Sequence, residues 1–221
     1  MYEQNKEVAM TASTKVKICG ITTPEDAMLA ASLGADYIGL IFVDSPRKVD
    51  IARAREIRRA ENRSLIVGVF LDSPKEEVIE TARAAKLDLV QLHGHESPDY
   101  CDDVLARTGR PIIKAFKSSN LPDVRELSRY RTAGFFLFDI DRSMIENPPS
   151  EDLIHRMWDI AARKRRKGFR IFLAGALDKD NVREAIRRTN AFGVDVCRGV
   201  EESPGIKDPK ELEQFIAEVR R

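Results

Sequence analysis

The sequence predicts an α/β protein with a single (β/α)8 TIM barrel, and three observations support this fold. Eight short runs rich in β-branched and aromatic residues alternate with longer amphipathic segments. The short runs are almost continuously apolar, which is typical of parallel strands buried on both faces. Residues 15–221 divide into eight units of roughly 26 residues, about the minimum for a strand, a helix and two short loops.

An open, doubly wound sheet also alternates strands with helices and is the alternative to a closed barrel. Eight complete units leave no sequence for a second domain, and this favours closure. We therefore expect one barrel domain over residues 15–221, preceded by an N-terminal tail at residues 1–14.

The elements follow one another in a regular order along the chain. The predicted strands are Lys15–Cys19, Tyr37–Phe42, Leu65–Phe70, Leu89–Leu92, Pro111–Ala115, Phe135–Asp139, Arg170–Ala174 and Gly193–Cys197. Helix start signals stand between them, each with a capping residue: Thr23 before Pro24, Ser73 before Pro74, and residues 178–181. Pro at the first helical position strengthens the first two signals.

Composition excludes several classes of function. The 221 residues carry a formal net charge of +1, so no global positive charge is available to bind nucleic acid. The three cysteines are far apart and match neither a disulfide framework nor a metal site. No basic region with an apolar run opens the chain, and no stretch of 18 apolar residues occurs. We expect a soluble cytoplasmic protein with reduced thiols, no metal and no membrane partner.

In a (β/α)8 barrel the chemistry belongs at the carboxyl ends of the strands. Cys19 closes the first strand, where its thiol could reach a substrate; the alternative is a small buried hydrophobe. Asp139 closes an apolar strand, where an unpaired carboxylate is costly to bury; the alternative is a helix cap or a loop salt bridge. Arg47 follows a stiff Ser-Pro pair and could bind a carboxylate or phosphate, or be solvated.

Further polar residues stand at the same predicted rim. Gln91 and His93 lie two apart on one strand and share a face, where packing is as plausible as substrate contact. Asp195 faces either the barrel interior or the helix layer. Loops after strands seven and eight frequently bind phosphate through backbone amides. The residues suited to this role here are Gly175, Ala176, Arg198 and Gly199.

These loop residues, in this order, resemble the phosphoribosylanthranilate isomerase family of tryptophan biosynthesis. The resemblance runs from Lys15 to Arg221. Its most specific strings are KICGIT at 17–22 followed by PEDA, GLIF with SPRKV within 39–49, VGVF at 67–70, VQLHGHE at 90–96 and GVDVCRGVEESPGIKD at 193–208.

The resemblance implies an Amadori rearrangement, an aldose–ketose isomerisation of N-(5-phosphoribosyl)anthranilate without metal or organic cofactor. It implies that Asp139 is the general acid and Cys19 the general base, with the acid partly protonated and the thiol partly ionised. It further implies that Arg47 holds the anthranilate carboxylate and that Asp195 contacts the substrate. The expected partner is a phosphorylated small molecule, bound by a monomer or a homodimer.

Three segments depart from the family pattern on the phosphate side. A glycine-rich GGTG-like stretch and FDW usually follow the acid, but residues 140–149 contain no glycine. The usual GG after strand seven is Gly175-Ala176, and the usual SSG after strand eight is Cys197-Arg198-Gly199. In one account, Arg198 replaces the lost phosphate donors. Alternatively, the chain is a diverged paralogue acting on another sugar, or a non-catalytic binding protein.

Overall fold

Eight parallel strands close into a barrel in the computed structural model, which describes residues 13–141 and 149–221. Each strand pairs with its sequence neighbours, and the first strand pairs with the eighth. The predicted closed barrel is therefore confirmed. The strands are β1 (Lys15–Cys19), β2 (Tyr37–Ile41), β3 (Leu65–Phe70), β4 (Leu89–Leu92), β5 (Ile112–Lys117), β6 (Ala133–Asp139), β7 (Ile171–Leu173) and β8 (Gly193–Val196).

Helices connect the strands and form the outer layer. They are α1 (Pro24–Leu33), α2 (Ile51–Ala60), α3 (Lys75–Ala84), α4 (Pro98–Thr108), α5 (Val124–Leu127), α6 (Glu151–Arg166), α7 (Val182–Thr189) and α8 (Pro209–Arg220). The Thr23 hydroxyl accepts the backbone N–H of Asp26 and caps α1, as its sequence predicts. Helix α3 begins at Lys75, one residue later than expected, and Pro74 takes the cap position without a side-chain hydrogen bond.

Five of the eight strands, β2 and β5–β8, differ from their predicted bounds by one or two residues at an end, and two departures affect the rim. The predicted seventh strand included Ala174, whereas β7 ends at Leu173 because Gly175 adopts a left-handed φ of 77° and turns the chain. A short antiparallel hairpin, β9 (Glu201–Ser203) with β10 (Ile206–Lys207), follows β8 and was not predicted. The expected tail at residues 1–14 lies almost wholly outside the described residues.

Alternation along each strand sorts the side chains into two cores. On β1, Val16 and Ile18 belong to the large core between sheet and helices. Lys17 and Cys19 alternate with them and point into the barrel. The interior is filled by a second, mainly apolar cluster of Tyr37, Val67, Leu89, Ile113, Ala115, Leu137, Phe172 and Ala174. The polar inward residues lie nearer the carboxyl ends of the strands, and this places the chemistry there.

The described residues include no helix that is long and apolar enough to cross a membrane.

A buried ion pair fixes the loop after β4. Lys114 and Glu96 are 1% and 5% exposed, and their Nζ and Oε2 atoms lie 2.8 Å apart. The ammonium also donates to the carbonyl of Gly94, and the carboxylate accepts the backbone N–H groups of Gly94 and Asp72. Two buried charges are tolerated because each has a full set of partners.

Lys114→Met will lower the free energy of unfolding by about 3–5 kcal/mol, because it leaves the Glu96 carboxylate buried without its cation. The double variant Lys114→Met/Glu96→Gln will recover part of this loss, since an amide oxygen can still accept the backbone N–H groups. Urea unfolding measures both. Arg107→Met, which breaks an exposed ion pair with Glu76, is the control and should leave stability nearly unchanged. Equal losses in the single and double variants would contradict this account.

Candidate active site

A cavity of about 870 Å³ opens at the carboxyl ends of the strands. This volume lies within the range of small-molecule sites, about 300–1,000 Å³. Its wall contains every predicted site residue except Arg47. Those residues are Cys19, Gln91, His93, Asp139, Gly175, Ala176, Asp195, Arg198 and Gly199.

Cys19 is 7% exposed at the end of β1, beside the cavity. Burial raises the pKa of its thiol above the ordinary value, and the nearby Lys17 ammonium opposes that rise. Lys17 is fully buried inside the barrel, and its Nζ donates to Oδ1 of Asp195 at 2.9 Å. Asp195 therefore faces the barrel interior, one of the two orientations that its position in the sequence allowed.

Asp139 and His93 meet across the cavity. Nε2 of His93 lies 3.3 Å from Oδ2 of Asp139. On the other side of the ring, Nε2 of Gln91 lies 2.8 Å from Nδ1 of His93. When the Gln91 amide donates to Nδ1, the imidazole proton lies on Nε2, the ring nitrogen nearer to Asp139. Gln91 therefore holds the His93 ring beside the carboxylate that closes β6, and both side chains line the cavity.

Arg47 differs from its expected position on the cavity wall. Its guanidinium forms a bidentate ion pair with Glu201, with Nη2–Oε2 at 2.6 Å and Nε–Oε1 at 2.8 Å. Glu201 is buried at the start of β9 and needs a counter-charge. Burial acts to raise the pKa of Glu201, but Arg47 and Lys207 outweigh burial and hold that pKa below its ordinary value. Nη1 of Arg47 has no hydrogen-bond partner within the described residues.

A buried cation behind the rim was missed in the sequence analysis. Lys207 donates to the backbone carbonyls of Cys19 at 2.7 Å and Cys197 at 3.1 Å, and to Glu201 at 3.0 Å. It thereby ties the ends of β1 and β8 to the β9–β10 hairpin. The string at 193–208 contains this lysine together with Cys197 and Glu201. Its contact with the carbonyl of Cys19, 188 positions away, follows only from the fold.

The described residues contain no cluster of three His, Cys, Asp or Glu side chains suited to a metal ion.

The comparisons with known proteins agree with this geometry. A family model described as N-(5'phosphoribosyl)anthranilate (PRA) isomerase matches residues 16–218. The chain belongs to this family. The isomerase from Geotalea uraniireducens (strain Rf4) is 41% identical over 205 residues, which cover 92% of this chain and 97% of the relative.

Solved structures of the PRA isomerase family share the barrel. The phosphoribosyl anthranilate isomerase of Thermotoga maritima is 31% identical, with a TM-score of 0.80, and the match covers 93% of this chain and 98% of that one. A phosphoribosyl anthranilate isomerase in complex with reduced 1-(O-carboxyphenylamino)-1-deoxyribulose 5-phosphate is 32% identical, with a TM-score of 0.77 and the same coverage. The resemblance found in the sequence is confirmed.

In this member of the PRA isomerase family, the rim after β7 and β8 is built from tight backbone turns. Gly175 and Ala176 have left-handed φ values of 77° and 54°. A Cβ on Gly175 would lie 2.5 Å from the backbone nitrogen of Ile140 and 2.6 Å from Oδ1 of Asp139. Arg198 begins a 3₁₀ turn, is exposed, and has no side-chain partner among the described residues. The glycine-free segment noted in the sequence lies largely at residues 142–148, outside the described residues.

Helix α6 contributes a wall of the cavity that the sequence did not indicate. Ile154, His155 and Trp158 line the cavity. Trp158 lies one helical turn after the adjacent pair Ile154 and His155. Trp158 is 1% exposed and packs its ring 5.2 Å from that of His155. Its indole N–H is buried without a hydrogen-bond partner in the described part of the chain. Apolar and aromatic walls of this kind suit a ligand with a ring.

Two substitutions in the left-handed turn after β7 should change the free energy of unfolding in opposite directions. Gly175→Ala will lower the free energy of unfolding by about 1–3 kcal/mol, because the new Cβ meets Ile140 and Asp139 at a positive φ. Ala176→Gly will raise it by about 1 kcal/mol, because glycine adopts the same φ without strain. Thermal and urea unfolding test both variants, and each serves as the control for the other. Two changes of the same sign would contradict the description of this turn.

Proposed function

We propose that this chain catalyses the Amadori rearrangement of N-(5'-phosphoribosyl)anthranilate to 1-(2-carboxyphenylamino)-1-deoxyribulose 5-phosphate, a step of tryptophan biosynthesis. The reaction is an intramolecular oxidoreduction, an aldose–ketose isomerisation in which C1 is reduced and C2 oxidised. One observation supports it above all. In a member of this family, a thiol and a carboxylate from opposite sides of the barrel, Cys19 and Asp139, line the same cavity.

The first step needs a proton on the furanose ring oxygen. Asp139 in its carboxylic acid form donates that proton, the C1–O bond breaks, and the sugar opens to a protonated Schiff base. His93 lies beside this carboxyl, with its Nε2 3.3 Å from Oδ2 of Asp139. Gln91 holds the ring of His93 in the tautomer that carries its proton on Nε2. We therefore assign Gln91 and His93 to positioning the carboxyl group of Asp139.

The second step removes the proton from C2. Cys19, as a thiolate, accepts this proton, and the electron pair of the C2–H bond neutralises the iminium to give an enolamine, which tautomerises to the ketone. Burial raises the pKa of the Cys19 thiol and so lowers the thiolate fraction at a given pH. A thiol with a raised pKa has little thiolate at neutral pH, but that thiolate is a strong base because it binds the proton tightly.

Substrate binding divides between the two ends of the cavity. On the phosphate side, we assign the amides of Gly175, Ala176 and Gly199 and the unpaired guanidinium of Arg198. Asp195 is placed to contact the sugar. We assign Arg47 to the anthranilate carboxylate. Glu201 binds the Nε and Nη2 edge of the guanidinium, and the N–H groups of Nη1 stay available.

We also expect a cytoplasmic enzyme without cofactor, working as a monomer or homodimer on a small phosphorylated substrate. The three cysteines are free, and the proposed base requires a reduced Cys19, which suits a reducing compartment. In this family, the isomerase from Thermotoga maritima has been solved in monomeric forms generated from a dimer.

Purified protein will convert N-(5'-phosphoribosyl)anthranilate, observed as loss of the substrate's anthranilate fluorescence. Cys19→Ala and Asp139→Asn will each lower kcat by about 10²–10⁴-fold, the usual contribution of a general base or acid. Matched controls are Cys101→Ala, a buried thiol of α4, and Asp99→Asn, an exposed carboxylate of the same helix; both should keep activity.

A wild-type protein that is inert where a family relative turns over would contradict the proposal. It would favour a diverged paralogue that isomerises another sugar, or a binding protein. Complementation of an isomerase-deficient tryptophan auxotroph, with soluble expression verified, distinguishes the same alternatives in cells.

Arg198→Ala will raise KM about ten- to hundredfold with little change in kcat, because a charge-assisted hydrogen bond to phosphate is worth about 1.5–3 kcal/mol. Inhibition by inorganic phosphate should weaken by a similar factor. Arg187→Ala, an exposed arginine in the last turn of α7, is the control. An unchanged KM would show that Arg198 does not replace the phosphate donors that the family usually carries.

A further inference from the structure

The two proposed reaction steps leave one buried ammonium inside the barrel without a role. Lys17 is fully buried on β1, two residues before Cys19 and on the same inward face. Below it the interior is mainly apolar. Placing a charge there costs several kcal/mol unless partners repay it. An apolar side chain would fill this layer at less cost, so the charge itself needs an explanation.

Lys17 and Cys19 converge on one point of the neighbouring strand. A Cβ built on Gly39 of β2 would lie 3.0 Å from Nζ of Lys17 and 2.9 Å from Sγ of Cys19. Glycine at this position leaves the space that both heads occupy. The backbone pairs Cys19 directly with Gly39, so the arrangement is set by the sheet register.

Asp195 holds the ammonium from the other side. The register of β1 with β8 pairs Lys17 with Asp195, and their Nζ and Oδ1 atoms lie 2.9 Å apart. Burial acts to lower the pKa of Lys17, but Asp195 and Cys19 outweigh it and hold that pKa above its ordinary value. Lys17 therefore stays charged throughout the working pH range. A single, compact cationic head suits this narrow slot better than a planar guanidinium.

Other charged groups also face the thiol. Lys207 of β10 lies behind the Cys19 backbone and acts to lower the pKa of the thiol, whereas Asp195 of β8 acts to raise it. The Cys197 thiol and the guanidinium of Arg47 are near as well. Burial raises the pKa of Cys197 to about 12, so that thiol is neutral. Among these charges, Lys17 has the largest effect that favours the thiolate.

We propose that Lys17 is a positioning residue of the isomerisation: its ammonium, oriented by Asp195, is the counter-charge that stabilises the thiolate of the buried Cys19. This inference rests on the proposed function only in making Cys19 the base. Asp195 then has a second role besides contacting the sugar, since it fixes the direction of the ammonium. The alternative is an ion pair that only fills the barrel interior.

The test measures how alkylation of Cys19 by iodoacetamide depends on pH. Peptide mass spectrometry separates Cys19 from Cys101 and Cys197, and only the thiolate reacts. In Lys17→Met the midpoint will rise by at least about one pH unit, which lowers the rate at pH 8 about tenfold. Lys15→Met, on the same strand but outside the barrel interior and paired with Asp36, should keep the wild-type midpoint.

Two further variants show whether the shift of the Cys19 midpoint comes from the charge of Lys17 or from altered packing around it. Asp195→Asn will lower the midpoint, because it removes an anion that disfavours the thiolate. Lys17→Met/Asp195→Asn will lie between Lys17→Met and the wild type, and it leaves no unpaired buried charge if Lys17→Met fails to fold. The pH profile of kcat/KM should shift in the same order as the alkylation midpoints.

A folded Lys17→Met protein with the wild-type alkylation midpoint, or a folded double variant with the midpoint of Asp195→Asn, would overturn the proposal and leave a purely structural ion pair. Alkylation needs no turnover, so this result is distinguishable from failure of the proposed function. A shifted midpoint in a protein that is inert with N-(5'-phosphoribosyl)anthranilate would support the role of Lys17 and refute the substrate assignment.

Discussion

Barrel closure is the constraint on which the rest of this structure depends. Pairing of β1 with β8 sets Lys17 opposite Asp195, residues that are 178 positions apart in the chain. It also brings the ends of both strands to the β9–β10 hairpin, where Lys207 binds the carbonyls of Cys19 and Cys197. Because parallel strands all present their carboxyl ends to one rim, closure collects the thiol, the carboxylates and the imidazole around a single cavity.

Buried cations are the second organising feature, and each has a different task. Lys114 satisfies Glu96 and fixes a loop. Lys207 joins Glu201 to two backbone carbonyls and supports the rim from behind. Lys17 alone lies inside the barrel beside the thiol. Burying each charge is costly without partners, and of these three lysines Lys17 has the largest effect in favour of the thiolate of Cys19, the proposed base.

Cys19 and Asp139 match the sequence pattern that resembles the PRA isomerase family, whereas the turns after β7 and β8 depart from that pattern. Cys19 and Asp139 stand where the family pattern places them. After β7 and β8, however, Ala176 adopts a left-handed φ that favours glycine, and Arg198 presents a free guanidinium. A full positive charge at the rim can offset weaker backbone donors. In the proposed mechanism, the chain therefore keeps the acid and base that the family pattern implies and holds the phosphate in a different way.

The sequence by itself determined the eight-unit barrel and the rim positions of Cys19, Asp139 and Asp195, because apolar periodicity and strand ends are local properties. It also indicated the family through ordered strings of residues. Only the tertiary structure decided which charges pair. Arg47 is held by Glu201, 154 positions away, and Lys17 by Asp195. Such pairs follow from strand register and barrel closure, which bring distant segments together. The local sequence of one segment does not indicate which other segment it will contact.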